Sequence, residues 1–143
     1  MEAADLAYRE ETQLVDDFVG CLEAESSPWG PVRVGREFFY QRGKTDIVAA
    51  NEDGEVLAFE AKLVRWRDAL HQAYRNTCFS HFSYIVLPMA TALRAQKYHA
   101  EFERRGVGIC YVADDELVIL HQAPKLQPLL PWLCNRATSS LAR

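Results

Sequence analysis

The sequence predicts an α/β domain, a mixed sheet flanked by helices, with an α-β-β-β-α-β core followed by an additional helix and two short strands. Three features lead there. Apolar residues recur at helical spacing before residue 25. Three strand-like stretches joined by turn signals follow between residues 32 and 63. Helical and strand patterns then alternate from residue 65 onward.

Residues 3–25 read as a helix because Leu6, Leu14, Val15, Phe18, Cys21 and Leu22 recur at its period. Ser26-Ser27-Pro28-Trp29-Gly30-Pro31 ends it. Residues 32–40 alternate as a strand, 41–44 turn, and 45–51 form a second strand. Asn51-Glu52-Asp53-Gly54 carries the Asp-Gly signal of a hairpin tip, and residues 56–63 return as a third strand. A helix over 65–79 offers Leu70, Ala73, Tyr74 and Cys78 for packing. Residues 83–87 are a nearly continuous apolar run closed by Pro88, as expected of a strand buried on both faces. Residues 91–105 read as one charged amphipathic helix stopped by Gly106. Residues 107–112 and 117–121 are short strands on either side of Asp114-Asp115. The first hairpins are expected to be antiparallel and the later crossover parallel. Residues 1–122 are thus expected to form the domain. Residues 123–143, which contain Pro124, Pro128 and Pro131, are expected to be a loosely packed tail.

The 143 residues suit one domain, and 49% hydrophobic residues suffice for a core. The net charge of −4 gives no global basic footprint, so a protein that coats nucleic acid is disfavoured while an enzyme with a local basic rim is not. No apolar run approaches membrane-spanning length, and the acidic start lacks the features of a signal peptide. A cytoplasmic protein with no membrane partner is expected. Cys21, Cys78, Cys110 and Cys134 are scattered among apolar residues and read as reduced, buried thiols. Cys78 and His81 have a zinc-like spacing, but no second pair completes a site.

The chemistry concentrates at Asp46 and at Glu60-Ala61-Lys62. Asp46 and Glu60 are about equidistant from the hairpin tip, which makes them cross-strand neighbours. Strand alternation turns Glu60 and Lys62 to one face. Carboxylates that close repel one another unless a cation lies between them. Mg²⁺, with Mn²⁺ able to substitute, prefers such hard oxygen ligands, and the Ala61 carbonyl can complete the set. Lys62 is then placed to touch a phosphate oxygen or the attacking water. Two carboxylates and an ammonium are what metal-assisted phosphodiester hydrolysis requires. An ordinary charged face of a hairpin is the alternative, disfavoured by the buried-type residues Ile47, Val48, Leu57, Ala58 and Phe59 around the acids.

With Asp46 as first acid and Glu60-Ala61-Lys62 as an E-x-K element, the chain resembles the PD-(D/E)XK nuclease superfamily. In pattern it is nearest to members resembling Holliday-junction resolvases. Thr45 stands where that motif has a proline, which is commonly absent. The resemblance implies a restriction-endonuclease-like fold, magnesium-dependent hydrolysis of DNA, endo- or exonucleolytic, and catalytic roles for Asp46, Glu60 and Lys62. It also implies a metal ligand on the first helix, Glu11 or, failing that, Glu10. Gln72 on the following helix would support the site. A solvent-facing acid in the first helical turns and a half-exposed helix glutamine are the bland alternatives at these positions.

Basic residues bracket the motif: Arg33, Arg36, Arg42, Lys44, Arg65, Arg67 and Arg75. Of these, Arg42, Lys44, Arg65 and Arg67 are the expected phosphate contacts. Phe38, Phe39, Tyr40 and Trp66 are either base-stacking residues or packing. DNA is the expected partner, with RNA not excluded and a homodimer or a larger DNA-processing assembly left open. The competing class is a module of the same fold that binds nucleic acid or a protein without cutting.

Overall fold

The computed structural model describes residues 8–24 and 26–141. The chain order is α1 (Glu11–Glu23), β1 (Val32–Tyr40), β2 (Gly43–Asn51), β3 (Val56–Ala61), α2 (Trp66–Asn76), β4 (Phe82–Val86), α3 (Met89–Gln96), α4 (His99–Arg105), β5 (Val107–Ala113), β6 (Glu116–His121) and α5 (Pro131–Ser139). The six strands form one mixed sheet in sequential order. β1–β2–β3 and β5–β6 pair antiparallel, while β3–β4 and β4–β5 are parallel. The expected α/β mixed sheet with flanking helices is the observed one.

Strand alternation divides the core. Ile47, Ala49, Leu57, Phe59, Tyr84 and Val86 face α1, where Leu14, Phe18 and Leu22 cover them. Val48, Ala50, Val56 and Ala58 face the other way, against Phe79 and α5. Ile85, Leu87, Val107 and Ile109 meet α2, α3 and α4 through Ala69, Leu70, Ala73, Ala92, Ala95 and Phe102. β3 is buried at every position, which only a strand covered on both faces requires. The β2–β3 tip forms as its Asp-Gly sequence suggests, with Gly54 at φ 79 and the Asn51 side chain accepting the amides of Asp53 and Glu55.

Gly108 shows how tightly the centre is packed. A Cβ there would collide with the Tyr84 ring and sit 2.5 Å from the His121 carbonyl oxygen. Both are core backbone or a fully buried ring and cannot move aside, so Gly108→Ala is expected to destabilise the fold by about 1–3 kcal/mol, read as a lowered thermal midpoint.

Three expectations need correction. The single helix over 91–105 is two, because the chain breaks at Lys97-Tyr98 before α4 begins. The break lets Ala92 and Ala95 on one segment and Phe102 on the next all reach the sheet. The stretch 123–143 is not a loose tail over its described part. α5 begins with Pro131 at its first position, and Leu133, Cys134, Ala137 and Leu141 are buried against the sheet. Among the described residues helix begins at Glu11, with residues 8–10 outside it; the expected helical segment before residue 8, and residue 25, lie outside the described residues. All four cysteines are free, and His81 Nδ1 accepts the Val56 amide at 2.9 Å, so it is engaged with the backbone and not with Cys78. No described helix is long and apolar enough to cross a membrane.

Candidate metal centre at the β2–β3 fork

The β2–β3 ladder ends at Ile47↔Phe59. One more step in that register would set Asp46 opposite Glu60. Instead the strands part, and Asp46 Oδ2 accepts the Ala61 amide at 2.9 Å in place of a backbone carbonyl. The fork lies at the C-terminal end of β3, beside the parallel strand β4, the edge at which open α/β sheets place their ligands.

A fault in β1 lies beside the fork. Every residue of β1 pairs with β2 except Glu37, which lies in the left-handed region at φ 57. A non-glycine residue there breaks the pleat at an energetic cost. The consequence is a switch of faces. Val32 and Val34 pack toward α1, whereas Phe38 and Tyr40, of the same parity, pack on the opposite side. β2 follows: Ile47 faces α1, but Thr45 turns to α2 and donates to Asn76 Oδ1 at 2.9 Å. Asp46 sits at the switch, its side chain 21% exposed, and lines a cleft with Glu11, Thr12, Val15, Glu37 and Lys44.

Glu60 is 1% exposed. Its Oε2 accepts a hydrogen bond from Asn76 Nδ2 at 2.7 Å. Burial, then the adjacent Asp46 carboxylate, push its pKa from the ordinary 4.5 up to about 8, while the Asn76 donor and Arg75 pull the other way. Two acids so placed at neutral pH share a site that wants positive charge. Lys44 Nζ stands 3.5 Å from Asp46 Oδ1 and 3.7 Å from Glu37 Oε2, and Lys62 Nζ stands 3.8 Å from Glu11 Oε2. Asp46 and Glu60 are adjacent, whereas the Lys62 ammonium is paired with Glu11 of α1 and Glu60 is bonded to Asn76 of α2. Glu11 shares the cleft with Asp46, while Glu10 occupies the N-cap of α1, where Gln13 Oε1 accepts its amide at 3.1 Å.

Among the described residues no group of three Asp, Glu, His or Cys side chains is gathered closely enough to hold a metal ion. The four-member set of Glu11, Asp46, Glu60 and Ala61 is therefore not assembled as a carboxylate cage. What is assembled, two adjacent carboxyl groups, is a set of the kind that can hold Mg²⁺, which keeps several waters and is bound by one or two protein carboxylates together with substrate oxygens.

Asn76 is the site residue that sequence reasoning missed. It lies one helical turn beyond Gln72, on the face shared with Ala69, so the helical period pointed to both. Gln72 is half-buried and has no side-chain hydrogen bond among the described residues. The basic bracket is only partly free. Arg65 pairs with Asp68 at 2.9 Å. Arg67 pairs with Glu101 at 2.8 Å and stacks on Trp66 and Tyr98. Arg36 pairs with Asp16 at 2.6 Å. Arg75 braces the β1–β2 turn by donating to the Arg42 carbonyl. Arg42 and Lys44 remain exposed on the turn beside the cleft. Of the four candidate stacking aromatics, Phe38, Tyr40 and Trp66 are packed against other rings, and Phe39 is 64% exposed.

No protein-family model and no curated protein matches this sequence. Among solved structures, a protein of unknown function from Silicibacter pomeroyi, SPO1766, is similar with a TM-score of 0.63 at 17% identity, over 91% of this chain and 82% of that one. A repair endonuclease from Pyrococcus abyssi is similar at 0.47 and 15% identity, over 85% of this chain and 49% of that one. Pyrococcus furiosus SfsA, solved in complex with Ca²⁺, is similar at 0.40 and 10% identity, over 78% and 60%. The first likeness is one of fold. The other two are distant resemblances whose scores are too low to bear weight.

Proposed function

We propose that this protein is a metal-dependent phosphodiesterase of the restriction-endonuclease-like type that hydrolyses DNA. The observation that carries the reading is the fork itself. A buried Glu60 and a half-buried Asp46 are forced together where β2 leaves β3, with the Lys62 ammonium on the same end of the sheet. Setting two carboxyl groups side by side in a buried place is costly, because without a cation one of them must keep its proton, and a structural hairpin has no need of it.

Mg²⁺ held there would polarise a phosphoryl oxygen and lower the pKa of a water. Asp46, Glu60 and the Ala61 carbonyl are the groups to hold it. Lys62 orients the phosphate or the water and offsets developing negative charge. Glu11, 3.8 Å from Lys62, steadies that ammonium. Gln72 supports the site from α2. Lys44 and Arg42 are the phosphate contacts next to the cleft. Arg65 and Arg67 would contact phosphate only by exchanging their present acidic partners.

The test is incubation with labelled linear, nicked, flapped and four-way-junction DNAs, and an RNA control, in Mg²⁺, Mn²⁺ and EDTA. Cleavage of at least one DNA in the divalent ion and none in EDTA is expected. No cleavage of any substrate would overturn the reading. One observation favours a second reading, a module that binds nucleic acid without cutting it. Lys44 already pairs with Asp46 and Lys62 with Glu11 from within the chain, and no third acidic ligand is gathered among the described residues. In that case DNA would bind equally well with and without divalent cation.

A further inference from the structure

Resting on the nuclease reading and deepening it, we propose that Asn76 is the positioning residue that fixes Glu60 for the cation, with Tyr40 and Thr45 setting which way its amide points. Asn76 is the last residue of α2, a place where asparagine usually meets water, yet it is 1% exposed. Its Oδ1 accepts from Tyr40 Oη and from Thr45 Oγ1, each at 2.9 Å, and its Nδ2 donates to Glu60 Oε2 at 2.7 Å. Its backbone is held as well, because Ser80 Oγ donates to the Asn76 carbonyl at 2.9 Å.

An ionised carboxylate can only accept hydrogen bonds, and an amide has one accepting and one donating end. With both hydroxyls on Oδ1, the donor must face Glu60. That spends one carboxylate oxygen on Asn76 and leaves the other for a cation beside Asp46. The arrangement draws on β1, β2, β3 and α2 at once. It exists because the fault at Glu37 carries Tyr40 and Thr45 over to the α2 side; in an unbroken pleat both would face α1. Groups that orient a ligand's carboxylate typically change metal affinity or activity by about 10–100-fold when removed.

The test compares Mn²⁺ binding by calorimetry, kcat and KM for DNA, and thermal midpoints across wild type, Asn76→Ala, Tyr40→Phe, Thr45→Val and the Tyr40→Phe/Thr45→Val double variant. Asn76→Ala is expected to weaken Mn²⁺ about 10–100-fold and to lower kcat with KM little changed. Each hydroxyl variant alone leaves one orienting donor and should fall well short of that. The double variant should approach Asn76→Ala, and it carries the test if Asn76→Ala does not fold. Wild-type Mn²⁺ affinity in a folded Asn76→Ala protein, or affinities that merely follow the thermal midpoints, would overturn the positioning role. Absence of Mn²⁺ binding by the wild type would instead overturn the nuclease reading beneath it.

Discussion

Asp46→Ala is expected to abolish divalent-cation-dependent cleavage while the chain stays folded. The two effects separate because Asp46 contributes little to the core. Its side chain is partly exposed, and its structural role is a hydrogen bond to the Ala61 amide and a partly exposed ion pair with Lys44. Losing that bond costs about 1 kcal/mol, and removing a negative charge from beside the buried Glu60 returns some of it. The chemical loss is much larger. Cation stabilisation of a phosphoryl transition state is worth several kcal/mol, so the rate should fall by about 10³-fold or more. Lys62→Ala should follow at about 10²–10³-fold, the scale seen when one stabilising donor is removed. Rate assays alongside circular-dichroism melts check both. Full activity in either variant would remove the mechanism.

Glu60→Gln should lose cleavage as completely and, without divalent cations, make the protein more stable at pH 8 than the wild type. The sign follows from the raised carboxyl. Between about 4.5 and 8, the folded wild type keeps a proton on Glu60 that the unfolded chain has released. Stability contributed by that proton is fully present at acidic pH and is lost as pH rises through the folded value. The slope is at most about 1.4 kcal/mol per pH unit. Glutamine has the shape of the protonated acid, can still accept from Asn76, and does not titrate. Denaturation in EDTA at pH 5 and pH 8 should therefore show the variant gaining on the wild type at the higher pH. Parallel behaviour at the two pH values would mean that Glu60 is not held protonated by its surroundings.

The closeness of Asp46 and Glu60 could be anticipated from sequence because it depends on counting. Asp46 and Glu60 are set opposite by their distances from the Asp53-Gly54 tip, and the observed Ile47↔Phe59 register agrees. The order of strands was readable for a similar reason, since turn signals and apolar runs are local. What escaped was not local. Nothing in Arg36-Glu37-Phe38 announces that a glutamate will take a left-handed conformation; the pull of Phe38 and Tyr40 toward Phe79 accompanies it. Asn76 gains its meaning only when two hydroxyls from another part of the chain arrive beside it. The prolines before α5 suggested a loose end, whereas Pro131 starts a helix whose apolar residues fit a groove that only the folded sheet offers. Charge counting likewise did not reveal that Arg67 is paired with Glu101, a partner assigned only once the helices were in place.

Calorimetric titration of Mn²⁺ into the wild type and into Asp46→Ala tests the cation site at the fork most directly. Saturable binding to the wild type, lost in the folded variant, is the predicted result. No binding by the wild type, or binding that Asp46→Ala leaves unchanged, would contradict it.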